Sequence, residues 1–139
     1  MTKLHKKQLG SIGEMLVAAN LMAHGYSVFT ELGDLSRTDL IAIIDNVPIR
    51  IQVKTRRIRN DVVEMELKKS GPNYKYKYMS TDVDVFALYV PGYGIGYFSS
   101  EFCNTNKASL TVRINPPKVR AHKKCRFLKH FRDIRQAIK

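Results

Sequence analysis

Two short runs joined by a turn constrain this chain more than any other feature. Asp39-Leu-Ile-Ala-Ile-Ile44 is followed by Asp45-Asn46, and then by Ile49-Arg-Ile-Gln-Val-Lys54. In the second run the aliphatic residues fall at 49, 51 and 53, with Arg50, Gln52 and Lys54 between them. That period of two is the signature of a strand with one polar face, so Gln52 and Lys54 point the same way. The first run is continuously aliphatic and rich in β-branched residues, as expected of a strand covered on both faces.

The turn decides what Asp39 meets. Asp and Asn tolerate positive φ and suit a two-residue hairpin loop, which sets Asp39 opposite Gln52. A four-residue loop from Asp45 to Pro48 sets it opposite Lys54 instead. Both registers keep Asp39 on the polar face. A three-residue loop sends it to the other side of the sheet, because a one-residue slip inverts every side chain.

An acid, an oxygen ligand and a lysine in the order Asp39 … Gln52-Val53-Lys54 resemble the Asp … (Glu/Asp/Gln)-x-Lys constellation of the PD-(D/E)XK nucleases. The resemblance runs from about Gly10 to Thr55 and implies an α/β, restriction-endonuclease-like core: a central mixed β-sheet flanked by helices. It also implies phosphodiester hydrolysis with Mg²⁺ or Mn²⁺ as cofactor. Mg²⁺ takes oxygen ligands, polarises a phosphate and lowers the pKa of a bound water. On this reading the metal ligands are Asp39, Gln52, the Val53 carbonyl and Glu14, and the catalytic set is Glu14, Asp39, Gln52 and Lys54. Lys54 is a compact cation suited to charge building on the phosphorus oxygens.

Gln52 departs from the acid usual at its position and removes one negative charge from the site. Either another acid compensates or the chain binds without cutting. In some branches a glutamate on the first helix completes the site, and Glu14 in Gly10-Ser-Ile-Gly-Glu14 matches it. Ser11-Ile12-Gly13-Glu14 also has capping-box spacing, in which the glutamate only reaches back to a helix start. From Glu14 to Ala23 only Glu14 and Asn20 are polar, a pattern expected of a helix buried between layers.

Bulk properties agree with a nucleic-acid partner. The 139 residues fit one domain, with a core over about 8–117 and a basic segment over about 118–139. A net charge of +12 marks a binder of polyanions. No run is long enough to span a bilayer, and the first seven residues lack a secretion signal's apolar core. The expected location is the cytosol of a bacterium or the interior of an organelle, with no membrane partner. Cys103 and Cys125 form no C-x-x-C pair, and His5, His24, His122 and His130 have no zinc spacing. No structural metal is expected.

Further elements follow from local pattern. The first helix is expected to end at His24-Gly25, with strands at Tyr26–Glu31, Val62–Leu67, Val85–Val90, Ile95–Ser99 and Leu110–Ile114. Asp82 and Asp84 read as structural acids at a strand edge. Candidate DNA contacts are Lys6 and Lys7 at the start of the first helix, and Arg56, Arg57 and Arg59 just past Lys54. Asn73 to Tyr78 alternates tyrosine with lysine, so Tyr74, Lys75, Tyr76 and Lys77 pair stacking rings with phosphate-seeking cations. Tyrosines covering a core edge explain the same alternation. From Lys118 to Lys139 nine basic residues and one acid carry two thirds of the net charge. There Phe127, Leu128, Phe131, Ile134 and Ile138 predict a helix with an apolar seam, presenting Arg126, Lys129 and Arg132.

Within the superfamily the Gln-x-Lys site, small size and basic segments are most similar to the intron-encoded, cyanobacterial-type homing endonucleases. That likeness implies a site-specific endonuclease acting on double-stranded DNA. One hydrolytic site cuts one strand at a time, so a homo-oligomer, a dimer or tetramer, is expected. Two alternatives stay open at this point: an archaeal-type Holliday-junction resolvase, and a catalytically weak DNA-binding module on the same fold.

Overall fold

The hairpin read from the sequence forms with its shortest loop. Asp45 and Asn46 both take positive φ, 52° and 64°, the backbone that a two-residue turn between twisted strands requires. The computed structural model in which this is seen describes residues 4–71, 74–78, 80–104, 108–117 and 125–138, with backbone alone for 68–71 and 74–77. Its elements are α1 (Lys6–Ala23), β1 (Ser27–Thr30), β2 (Leu40–Ile44), β3 (Val47–Thr55), β4 (Val62–Glu66), β5 (Lys68–Gly71), β6 (Tyr74–Lys77), β7 (Val85–Val90), β8 (Gly94–Ser99) and β9 (Ser109–Arg113). Short 3₁₀ turns follow at Ser100–Asn104, Leu128–Phe131 and Ile134–Ala137.

The central sheet has the order β1-β2-β3-β7-β8 and is mixed: β3 and β7 run parallel, the other neighbours antiparallel. This is the expected α/β architecture with a central mixed sheet. In the β2–β3 ladder Leu40 pairs with Ile51, and Asp39 N–H donates to Ile51 O at 2.9 Å, so Asp39 lies opposite Gln52. Strands β4 and β9 form a separate two-stranded ladder, as do β5 and β6.

Two apolar layers sandwich the sheet. On one face Ile49, Ile51 and Val53 pack with Leu40, Ala42 and Ile44 beneath Val17 and Leu21 of α1. On the other, Phe86, Leu88, Val90 and Phe98 meet Val63, Met65, Leu110 and Val112 of the β4–β9 ladder. Each such side chain stabilises the fold by about 1.5–3 kcal/mol when fully buried. The second layer lies over β7 and β8. Ile41 and Ile43 of β2 are therefore only half-buried, contrary to the expectation of full cover on both faces.

Helix α1 corrects two further expectations. It starts at Lys6, where Lys7 N–H donates to His5 Nδ1 and His5 N–H donates to Gln8 Oε1. Ser11 and Glu14 thus lie inside the helix and form no capping box. Only Gly13, Val17 and Leu21 are buried, while Met15, Leu16 and Met22 face solvent. The helix lies on one layer instead of between two. Its end at Ala23, before Gly25 with φ of 90°, is where the sequence placed it.

The expected C-terminal helix does not form from Cys125 onward; residues 118–124 lie outside the described set. Leu128 joins one core layer and Ile134 and Ala137 the other, so the segment must cross the free edge of β8. One helical stripe cannot serve two faces of a sheet. The chain instead takes two 3₁₀ turns, the second capped by Asp133 accepting from Arg135 N–H at 3.0 Å. The strap also protects an edge strand that would otherwise offer unpaired backbone groups.

Candidate active site

The sheet end where β2 begins and β3 finishes gathers the residues singled out by spacing. Asp39 is held twice: its N–H donates to Ile51 O, and its Oδ2 accepts from Val53 N–H at 2.8 Å. A carboxylate fixed to a strand's backbone has little rotamer freedom left to lose. In an extended strand a residue's N–H and C=O leave by the same edge, so the Val53 carbonyl also faces this side, past the end of β2.

Gln52 and Lys54 share Asp39's face. The Gln52 side chain is half-buried, and its Oε1 is fully buried with no hydrogen-bond donor among the described residues. Lys54 is only 6% exposed, and its Nζ stands 4.5 Å from the ring centroid of Tyr78. This excludes an ordinary surface strand with solvated polar residues, because burying an ammonium is expensive without compensation.

Glu14 reaches the same end from the opposite layer. Its approach depends on Gly13, where an added Cβ would overlap Thr55 Oγ1 and stand 3.5 Å from Tyr89 Cδ2. The missing side chain lets α1 close onto the end of β3, one residue from Lys54. Partial burial pushes the Glu14 carboxyl above its ordinary pKa, and the charges of Asp39 and Asp34 push it further.

Asp34 is a neighbouring charge that no sequence motif singled out. It sits at φ of 50° in the loop after β1. The loop is closed by Glu31, whose carboxylate accepts from Ser36 N–H and Ser36 Oγ, each at 2.9 Å. Those hydrogen bonds, the backbone one foremost, pull Glu31 below its usual value. An acid before a turn serine is too common a pattern to have signalled this.

Among the described residues no group of three or more His, Cys, Asp and Glu side chains could hold a metal ion. A cation here would depend on an amide and a backbone oxygen as well as acids. The orphaned Gln52 Oε1, beside a pinned carboxylate, fits that oxygen-donor chemistry.

The basic candidates fall into two groups. Lys6, Lys7, Arg57, Arg59 and Lys129 are exposed. Others are engaged: Arg56 donates to Thr55 O at 2.8 Å, Arg126 stacks 5.1 Å from the Phe102 centroid, and Arg132 donates to Ile95 O and Tyr93 O. The latter two tie the strap to the body of the protein. Tyr74, Lys75, Tyr76 and Lys77 form β6, paired with β5, and their side chains lie outside the described set. Tyr78, the last of that alternation, is 1% exposed and cannot read bases. Asp84 is structural, as expected, accepting from Arg50 N–H and its guanidinium.

Comparison with known proteins agrees with this geometry. No curated protein matches the sequence. Among solved structures a bacterial homing endonuclease, I-Ssp6803I, is similar in fold, with a TM-score of 0.72 over 92% of this chain and 88% of that one. The identity is 18%, so the likeness is one of fold. A family model described as PD-(D/E)XK endonuclease matches residues 4–134, nearly the whole chain. An acid pinned to the neighbouring strand's backbone, Gln52 and Lys54 on its face and a matching family model lead to one conclusion: this chain belongs to the PD-(D/E)XK endonucleases.

Proposed function

We propose that the protein is a Mg²⁺-dependent, site-specific endonuclease of the homing type, hydrolysing phosphodiesters in double-stranded DNA at Glu14, Asp39, Gln52 and Lys54. The observation that carries the reading is the orphaned Gln52 Oε1 on the face of Asp39. A buried acceptor without a partner costs about 1–3 kcal/mol, a penalty that a cation bound through oxygen relieves. The residues that would hold Mg²⁺ are Asp39, Gln52 and the Val53 carbonyl, with Glu14 adding charge. When bound, it would supply phosphate polarisation and a nucleophilic water at neutral pH.

The chain's own residues do the rest. Asp39, fixed by Val53 N–H, orients the phosphate-facing side of the site. Glu14 holds its proton to higher pH than a free glutamate, so it contributes full charge most readily when a cation is near. Lys54, shielded from bulk water, directs its positive charge at the oxygens of the reacting phosphate. Lys6, Lys7, Arg57, Arg59, Lys129 and the β5–β6 ribbon supply backbone contacts to the duplex. The homing reading draws support from the Gln-x-Lys pattern and the fold likeness to I-Ssp6803I. Cutting both strands with one site per chain calls for a homo-oligomer, a dimer or tetramer.

The test is incubation with linear duplex and four-way junction DNA in Mg²⁺ or EDTA. Mg²⁺-dependent cleavage of a preferred linear site is expected, lost in Asp39→Ala and Lys54→Ala while DNA affinity is retained. Preferential cutting of junctions would make the protein a resolvase. Binding without cleavage under any divalent ion would make it a DNA-binding module.

A further inference from the structure

Lys54 is anchored from outside the sequence motif. Its ammonium stands over the ring of Tyr78, 24 residues further along, at 4.5 Å from the centroid. Tyr78 is itself fixed: its ring meets Phe86 edge-on at 5.6 Å and 82°, and its N–H donates to Leu67 O at 3.0 Å. Phe86 in turn pairs with Gln52 in the β3–β7 register. The ring under Lys54 is thus part of the second core layer, and its position is set by packing and by a backbone hydrogen bond.

We propose that Tyr78 is the positioning residue for Lys54, its ring face holding the ammonium in the direction that the phosphodiester reaction needs. This rests on the reading of Lys54 as a member of the reacting site. Two physical points support it. A flexible four-carbon stem has many rotamers, and a charge that must act in one direction gains from a fixed counter-surface. An aromatic face attracts a cation through its quadrupole without accepting its proton and without competing for a metal ion, as a nearby carboxylate would. The contact is strongest where water is excluded, and here Lys54 is 6% and Tyr78 1% exposed. The last ring of the Tyr-Lys alternation thus lies in the core, beneath Lys54.

The experiment replaces Tyr78 by phenylalanine and by its mono-, di- and trifluorinated forms, which keep the ring's shape while draining its face of negative charge. Cleavage is measured as kcat and KM, with melting temperature recorded for each protein. Tyr78→Phe is expected to keep kcat within about twofold, and kcat to fall progressively to about a tenth across the fluorinated series, with KM and melting temperature level. A flat or rising kcat across the series overturns the proposal, and so does a full loss already at Tyr78→Phe, which would assign the effect to the hydroxyl. Lys54→Ala is the companion measurement. If it abolishes cleavage and the series is flat, Tyr78 alone is misassigned; if it leaves cleavage intact, the reading of the site itself fails.

Discussion

Two glycines three residues apart on α1 make opposite demands, and substituting each by alanine separates the helix's stability from its placement. Around Gly10 nothing lies within 4 Å of an added Cβ. Alanine there gains about 0.8–1 kcal/mol of helix propensity at no steric cost. At Gly13 the same gain is available, but the Cβ overlaps Thr55 Oγ1 and comes to 3.2 Å of Thr55 Cβ. Forcing a methyl into packed surroundings costs about 1–3 kcal/mol, and the overlap with a strand residue puts this case at the upper end. The net expectation for Gly13→Ala is a loss of about 1–2 kcal/mol, or roughly 3–7 °C in melting temperature for a chain of this size.

Activity should diverge further than stability. Relief of the overlap requires α1 to lift from β3, carrying Glu14 away from Asp39 and letting the end of β3 shift beside Lys54. A displacement near 1 Å at a reacting site costs on the order of a hundredfold in rate. Thermal melts and single-turnover cleavage of the three proteins therefore give a pattern: Gly10→Ala more stable and fully active, Gly13→Ala less stable and nearly inactive. Adding Thr55→Ala to Gly13→Ala removes the overlapping oxygen and should restore most of both. If Gly13→Ala proves as stable and active as Gly10→Ala, the close seat of α1 on β3 is not what positions Glu14.

Three other outcomes follow from the charges. Burial acts to raise the Asp84 carboxyl, but the Arg50 side-chain and backbone hydrogen bonds outweigh it and hold the group below its ordinary 3.8. A depressed carboxylate stabilises the fold above its unfolded pKa and loses that contribution as pH falls through the folded one. Melting temperature should thus drop on acidification below about 3.8, and Asp84→Asn should flatten the drop; an acid limb of unchanged steepness would argue against the pair. DNA affinity should fall about a thousandfold or more between roughly 50 and 200 mM salt if six to eight phosphates are contacted, as read from binding isotherms. A flat response would remove the basic residues from the interface. Gln52→Glu should lower the melting temperature in EDTA, where a second carboxylate faces Asp39, and recover it on adding Mg²⁺ at lower concentration than wild type needs. Indifference to Mg²⁺ in that melt would mean that residue 52 faces no cation.

The parts of the fold legible in the sequence were those fixed by local rules. Alternation in β3 placed Gln52 and Lys54 together and kept Asp39 on their face, while the choice between two registers was made only by the two-residue turn seen in the structure. What escaped was set by the second partner of each element. The composition of α1 predicted cover all round, yet among the described residues one layer covers it, and Met15, Leu16 and Met22 stay exposed. The C-terminal apolar residues have helical spacing, yet they feed cores on opposite faces of β8, which a single stripe cannot reach. Spacing states how often a side chain recurs on an element; it does not state how many surfaces will meet it.

The same distinction separates the two halves of the site. Asp39, Gln52 and Lys54 lie on one hairpin, so a short stretch of sequence determines their mutual placement. Glu14 and Tyr78 come from a helix and from the residue that follows the β5–β6 ribbon, and each arrives by a contact with no sequence periodicity: a glycine seat on Thr55 and an edge-on ring against Phe86. The hairpin alone would present a carboxylate, an amide and a lysine to water on a half-covered strand. The contributions from outside it bury the lysine and raise the Glu14 carboxyl, while the Gln52 amide oxygen finds no donor among the described residues. Under the proposed function, an oxygen-binding cation would neutralise the neighbouring acids and satisfy the amide. The chemistry of this site therefore belongs to the packing around the motif as much as to the motif.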